Sequence, residues 1–360
     1  MKFDYVIGNP PYQLEREQGA SAINGQAPRT NIFHYFQIQA DEIVNDSSVL
    51  IYPGGRWIHQ SGKGVKNFGK EQINDPTLAL VELYTDAREV FGTAADLSDG
   101  VSIVVKNKKH TGNEFKYVYR KVGKLQEVNV PYPGEKLLPL NPSDLPIMVK
   151  VDKIVETKNW KFLHDEIFSR SLFGIESDFV SKNPDKVKLY DGKNIDYSKG
   201  EIKLFTNDKP GKSGRAKWYV TNRSVIKNNS EFIDQWQVIV SSANAGGQKR
   251  DNQLAIVDNY SAFGRSRLAL KSFLTYEEAQ NFYKYVDSYL IRFIFLLTDE
   301  ALSSLGKEVP DIGDYKSENG IIDFTKDIDS QLFDLFELTE QEIEYIKEVI
   351  DNSRNVKEMK

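Results

Sequence analysis

The chain has 360 residues, 40% of them hydrophobic and 12% aromatic, which is enough apolar material for two ordinary globular cores. Its formal net charge of −5 excludes a uniformly basic coat for nucleic acid but leaves room for a local basic face. With no cysteine and four scattered histidines (His34, His59, His110, His164), it has neither disulfides nor a zinc signature, and no metal is implied. It has no run of about 18 apolar residues, and no basic-then-apolar N-terminus. Neither a membrane span nor a signal peptide is therefore supported, and the cytoplasm is the default location.

The chain opens on Phe3-Asp4-Tyr5-Val6-Ile7-Gly8-Asn9-Pro10-Pro11-Tyr12. An apolar run that stops at Gly-Asn-Pro-Pro-Tyr predicts a buried strand and then a sharp turn, because neither proline donates a ladder hydrogen bond and each fixes its own φ. In open α/β sheets, ligands bind at the C-terminal ends of the strands. The groups offered there suit a planar, amide-like amine. The Asn9 carboxamide oxygen accepts one N–H, the Pro10 carbonyl accepts the other, and the Tyr12 ring stacks on an aromatic base. On these residues the segment resembles the Asn-Pro-Pro-Tyr motif of the N6-adenine DNA methyltransferases, specifically the gamma-like class of restriction-modification systems. The resemblance implies a catalytic loop of Asn9, Pro10, Pro11 and Tyr12 that grips the exocyclic amine of a flipped adenine. It also implies S-adenosylmethionine as methyl donor and double-stranded DNA as partner. Protein-glutamine methyltransferases are similar in this motif and methylate a side-chain amide, but they lead one to expect a much shorter chain after it.

Gln13 to Arg29 is polar and rich in Gly and Ala, without an apolar period, and reads as a flap over the site. Thr30 or Asn31 can then cap a helix whose Ile32, Phe33, Phe36, Ile38, Ala40 and Ile43 fall mostly on one face. Ser48 to Pro53 reads as a second strand running into a Gly-Gly turn, Leu78 to Tyr84 as a third, and Gly100 to Lys106 as a fourth returning like a hairpin. Between the last two lies Arg88-Glu89-Val90-Phe91-Gly92. In the resembled family, a Glu-Val-Phe ahead of a Val-rich strand supplies an aromatic ring opposite the motif tyrosine. Phe91 matches that position and would close the other side of the base; read from composition alone, it is a core phenylalanine. An enzyme that acts on N6 must take its base out of the stack and offset the cost with such stacking.

The gamma class places an aromatic-x-Gly-x-Gly cofactor turn before Asn-Pro-Pro-Tyr, and only eight residues precede Asn9 here. Downstream, neither Phe173-Gly174-Ile175-Glu176 nor Ala245-Gly246-Gly247 follows a strand and opens a helix, so the cofactor-binding residues are unknown. The apolar first strand should then lie exposed at a sheet edge. The chain therefore reads as a C-terminal portion, completed by a missing N-terminal half or a separate subunit. The expected architecture is α/β: half of a Rossmann-like methyltransferase sheet (1–120), an α+β target-recognition domain (121–310) and a C-terminal helical segment (311–360).

Two look-alikes are set aside. Gly64 to Glu71 has phosphate-loop spacing without the terminal Ser/Thr or a preceding strand, and Pro184-Asp185 with Glu201-Ile202-Lys203 has the composition of a nuclease site by chance. Prolines punctuate 131–146, and then Ile147, Met148, Val151, Ile154 and Val155 are spaced for one buried helix face. Basic residues interleave with aromatics beyond residue 190, as a DNA-facing surface requires. The DNA-binding candidates are Lys212, Arg215 and Lys217, Lys249 and Arg250 in a glycine-rich loop that could enter a groove, and Arg265 and Arg267 flanking Ser266. Thr275 should cap a helix running through Phe295, and Thr339 another near the C-terminus. The stretch from about 236 to 350 resembles the target-recognition domains of restriction-system adenine methylases. The competing reading is a non-catalytic DNA-binding specificity fragment.

Overall fold

The apolar run at the start forms β1 (Phe3–Gly8). In this computed structural model the described residues are 2–15, 29–60, 64–94, 97, 100–121, 123–193, 195–211, 213–241, 254–297, 305–316 and 320–354. The chain divides into two compact units, Met1–Pro146 and Ile147–Lys360.

In the first unit β1 is followed by the antiparallel pair β2 (Gln13–Glu15) and β3 (Arg29–Asn31), then α1 (Phe33–Ile43), β4 (Val44–Pro53) and α2 (Lys66–Ile73). Next come β5 (Leu78–Tyr84), the single turn α3 (Arg88–Phe91), β6 (Val101–Asn107), β7 (Glu114–Lys121) and β8 (Lys124–Pro131). The main sheet has six strands in the order β1-β4-β6-β5-β7-β8. β1 and β4 are parallel, with Ile7 opposite Val49, and β6 lies antiparallel between β4 and β5. The core is built from alternating residues such as Leu50 and Tyr52, with Trp57 beneath. Trp57 donates its indole N–H to Ser102 at 2.8 Å, so this large ring is buried without an orphaned donor.

β1 is an edge strand. Phe3, Tyr5 and Ile7, on one of its faces, are 45%, 65% and 78% exposed, as the sequence led one to expect.

Three expectations are corrected. Thr30 and Asn31 belong to β3, and the residue before α1 is Ile32, with no side-chain cap. The helix buries Phe33, His34, Gln37 and Ala40 and leaves Phe36 and Ile38 exposed, because Gln37 is held inside by Tyr52 (2.6 Å) and Ser48 (3.2 Å). The division of the chain falls after Pro146 and not near residue 120. The stretch around residue 120 forms β7, which buries Phe115, Tyr117 and Tyr119 and pairs with β5 on one side and β8 on the other.

The second unit contains α4 (Leu145–Lys158), β9 (Lys161–Phe162), α5 (Phe179–Lys182), β10 (Val187–Leu189), β11 (Glu201–Asn207), β12 (Ala216–Asn222), β13 (Trp236–Ser241), β14 (Ala255–Val257), β15 (Ser261–Phe263) and β16 (Arg267–Phe273). These are followed by α6 (Tyr276–Val286), α7 (Tyr289–Leu297), β17 (Pro310–Asp311), α8 (Ile328–Leu335) and α9 (Glu340–Arg354). The strands form two larger sheets, β10-β12-β11-β15 and β14-β13-β16. One core gathers α4, β13, β16 and α6 to α9, with Ile346 and Ile350 of the tail fully buried, so the C-terminal helices close this core. A second core lies beneath β11 and β12. Thr275 caps α6 in a reciprocal box with Glu278. The helix expected to continue through Phe295 breaks at Asp287-Ser288, where Tyr289 N–H donates to Asp329 at 2.7 Å. Among the described residues no helix is long and apolar enough to cross a membrane, and no acidic or histidine cluster could hold a metal.

Lys106, on the central strand β6, has a side chain only 6% exposed and meets Asp41 of α1 and Asp75, each at 2.6 Å. Burial pushes the Asp75 carboxyl up, but hydrogen bonds from Lys106 and Thr77 overcome it and hold the group below its usual range. A carboxyl depressed in the folded state stabilises above its unfolded value, about 3.9, and loses that contribution as pH falls through the folded value. Lys106→Met is therefore expected to cost about 3 kcal/mol at pH 7, with the deficit shrinking below about pH 4; urea unfolding at both pH values checks this.

Candidate functional site

The site begins where β1 stops. Pro10 is buried while Asn9 and Pro11 are exposed, so the turn is anchored by one proline ring and presents the Asn9 residue outward. The Tyr12 carbonyl accepts the Ile32 N–H at 3.0 Å, which ties the end of the turn to the start of α1. Gln13 then pairs with Asn31, joining their side chains at 3.2 Å. Among the described residues neither the Asn9 carboxamide nor the Pro10 carbonyl has a hydrogen-bond partner, which leaves two acceptors at the C-terminal end of a parallel strand.

The Tyr12 ring packs half-buried against the sheet core. Its hydroxyl is buried without a partner, and burial pushes its pKa up to about 12. Phe91 is the last residue of α3. That turn is set by Asp86, which accepts from the Arg88 N–H at 2.9 Å and from its guanidinium, and the Arg88 hydrogen bonds hold the Asp86 carboxyl down at about 2. Gly92 ends the turn at φ +71, a conformation that disfavours any other residue. Phe91 is half-buried, and among the described residues neither its ring nor that of Tyr12 stacks on another aromatic.

Asn9, Pro10, Pro11, Tyr12, Phe91 and Leu97 line one open cleft of about 510 Å³. The residues quoted from two separate motifs thus meet in one place. Leu97 was not foreseen; an isolated leucine in a polar run carries no periodic signal. Among the described lining residues Tyr12 alone has a titratable side chain, and it stays neutral through ordinary pH, so these residues can position and stack a ligand.

The DNA-binding candidates fare unevenly. Lys212, Lys249 and Arg250, with the glycine-rich loop, lie outside the described residues, as does most of the Gln13–Arg29 flap. Lys217 pairs with Asp208 at 2.8 Å and Arg265 with Glu176 at 2.7 Å. Arg215 is exposed, its backbone N–H bound by Asp208 at 2.9 Å. Arg267 has no carboxylate partner among the described residues and lies over Phe205. Of the look-alikes, Gly64 to Glu71 runs into α2, where a Cβ on Gly69 would come within 2.2 Å of the Trp57 carbonyl. That glycine serves close packing.

Residues 1–91 match the model of the Eco57I restriction-modification methylase family. The matched stretch includes the Asn9–Tyr12 turn and ends on Phe91, so it covers both jaws of the cleft. No curated protein sequence matches the chain. Among solved structures, the chain is similar to the methyltransferase subunit of a type I restriction-modification system from Streptococcus thermophilus, at 15% identity over 42% of this chain and 32% of that one, TM-score 0.25. It is also similar to the type IIL restriction-modification enzyme MmeI in complex with DNA (8% identity, 84% and 44% covered, TM-score 0.41). The type IIG restriction endonuclease BpuSI is similar at 11% identity over 95% of this chain and 49% of that one, TM-score 0.31. The chain thus spans 32% to 49% of the length of these proteins.

Tyr12→Phe removes a hydroxyl that has no partner and keeps the ring, so stability at pH 7 should be unchanged or rise by about 1 kcal/mol. With its folded pKa raised, the hydroxyl's contribution is complete below about pH 10 and is lost as pH rises toward 12; Tyr12→Phe should lack that alkaline loss. Chemical denaturation across this range checks both, and a large destabilisation at pH 7 would show the hydroxyl to be bonded.

Proposed function

We propose that the first unit is the base-holding half of a gamma-class N6-adenine DNA methyltransferase of a restriction-modification system, a part of a Rossmann-like catalytic sheet, and that the second unit is its target-recognition domain. The observation that carries the reading is the pairing of two unsatisfied acceptors, Asn9 and Pro10, with two unstacked rings, Tyr12 and Phe91, in one cleft. A flipped adenine presents two N–H donors on its exocyclic amine and two π faces, which is the complement of that set. Asn9 and Pro10 hold the amine and fix its orientation, Tyr12 and Phe91 clamp the ring, and Pro11 stiffens the turn. Catalysis on this side is positioning: a correctly oriented amine needs no base in contact with it.

The methyl donor implied by the resemblance is S-adenosylmethionine, and the described residues do not fit it. Gly54-Gly55 is the glycine pair that follows a strand of the main sheet, and a Cβ on Gly55 would come within 2.7 Å of the Leu140 side chain. That glycine is filled by packing and forms no cradle for a ligand. The donor site is therefore assigned to an N-terminal half or a separate subunit that adds strands along the free edge of β1. The exposed Phe3, Tyr5 and Ile7 favour this assignment, since a row of apolar side chains on an unpaired edge is what an added layer would cover. Arg215, Lys217 and Arg267 of the second unit, together with Lys212, Lys249 and Arg250, are assigned to DNA.

The test is to supply the completing half and measure methyl incorporation into duplex DNA, followed by base analysis for N6-methyladenine. Asn9→Ala should lower turnover by at least about 10²-fold without altering the melting temperature. Full activity of Asn9→Ala would overturn the role of the turn, and complete absence of methylation would favour a non-catalytic specificity fragment.

A further inference from the structure

Among the described arginines that are not freely exposed, Arg120, Arg223 and Arg292 each meet a carboxylate, those of Glu82, Asp234 and Asp287. Arg267 meets none. Its guanidinium lies over Phe205, 4.8 Å from the ring centroid, and donates to the Ser266 carbonyl at 3.0 Å. Phe205 in turn stacks on Trp218 across the β11–β12 ladder, with centroids 4.8 Å apart and planes at 27°. Lys203 Nζ covers Trp218 at 5.4 Å, but its charge is taken by Asp258. The result is a row, Lys203, Trp218, Phe205, Arg267, whose last cation has no carboxylate partner among the described residues.

A guanidinium has five donors and no acceptor, so most of its hydrogen-bonding capacity is unused here. Withdrawing a cation from water without a counter-ion is costly, and burial already pulls the Arg267 pKa down. The Phe205 face offsets part of that cost and holds the planar fork in one orientation, ready for an oxyanion. Arg265, two residues earlier, makes the contrast: it is exposed, but Glu176 neutralises it at 2.7 Å.

We propose that Arg267 is a pre-ordered phosphodiester contact of the second unit, and that of the two arginines flanking Ser266 it alone neutralises a DNA phosphate. The inference rests on the DNA-binding reading above and narrows it from a basic cluster to one residue. Such a contact contributes to affinity for any sequence and carries its own counterion release.

The experiment measures duplex-DNA affinity of the full chain by fluorescence anisotropy over about 0.05 to 0.2 M salt. Arg267→Met, which keeps the packing over Phe205, should weaken binding about tenfold or more and reduce the slope of log affinity against log salt by about 0.9. Arg267→Lys should keep the slope, and Arg265→Gln should leave it unchanged. A purely structural role would make Arg267→Lys and Arg267→Met behave alike, and that result overturns the proposal. So does an unchanged slope in Arg267→Met, or an equal reduction in Arg265→Gln, with the DNA reading left standing. A wild-type chain that binds no duplex overturns both.

Discussion

The interruption of β1 by Pro10 and Pro11 is the constraint on which the rest of the first unit depends. A strand that continued would pair its carbonyls and hide its side chains; two consecutive prolines remove two donors and force the chain out of the ladder. What remains is a pair of acceptors, Asn9 and Pro10, without partners among the described residues, on a turn that is anchored at both ends, by the parallel pairing of β1 with β4 and by the bond from Ile32 to Tyr12. The cleft owes its polarity to that interruption. Its apolar walls come from Tyr12 on the turn itself and Phe91 on a single helical turn, which Asp86 starts and Gly92 stops.

The turn is useful only if the sheet behind it does not move. The buried Lys106 with its two carboxylates, extended through Gln37 to Tyr52 and Ser48, fastens α1 to the sheet by charge-assisted bonds. Such a network specifies position more than it adds stability, because desolvation consumes much of the Coulomb gain. The opposite condition holds at β1, whose outer edge has no partner strand among the described residues and whose Phe3, Tyr5 and Ile7 are open to solvent. The interior of the sheet is thus fixed by several bonds, while β1 at its end has one neighbouring strand among the described residues. The proposed division of labour, acceptor side here and donor side elsewhere, follows this asymmetry.

Where a residue type has one dominant physical use, the sequence was legible. The Asn9–Tyr12 turn, the Leu78–Tyr84 strand, the buried face of α4 and the caps at Thr275 and Thr339 all rest on short-range rules of that kind. It misled where a long-range partner overrode the local pattern. Gln37 is buried because Tyr52 and Ser48 receive it, which displaced Phe36 and Ile38 from the predicted face of α1. β7 was not foreseen as a strand, because its outward residues are charged, while its inward ones, Phe115, Tyr117 and Tyr119, meet strands distant in sequence. The basic candidates of the second unit were legible as a group but not singly. Composition cannot tell Arg265, which pairs with Glu176, from Arg267, which has no carboxylate partner among the described residues.

The central claim is that the cleft recognises an adenine by its amine. The most direct measurement is NMR titration of the chain with adenosine and with N6,N6-dimethyladenosine, following the aromatic resonances of Tyr12 and Phe91 and the side-chain amide of Asn9. An amine grip predicts that adenosine shifts all three and that the dimethyl compound, with no N–H left to donate, shifts them far less. Equal shifts with both nucleosides, or shifts confined to residues outside the cleft, would contradict it.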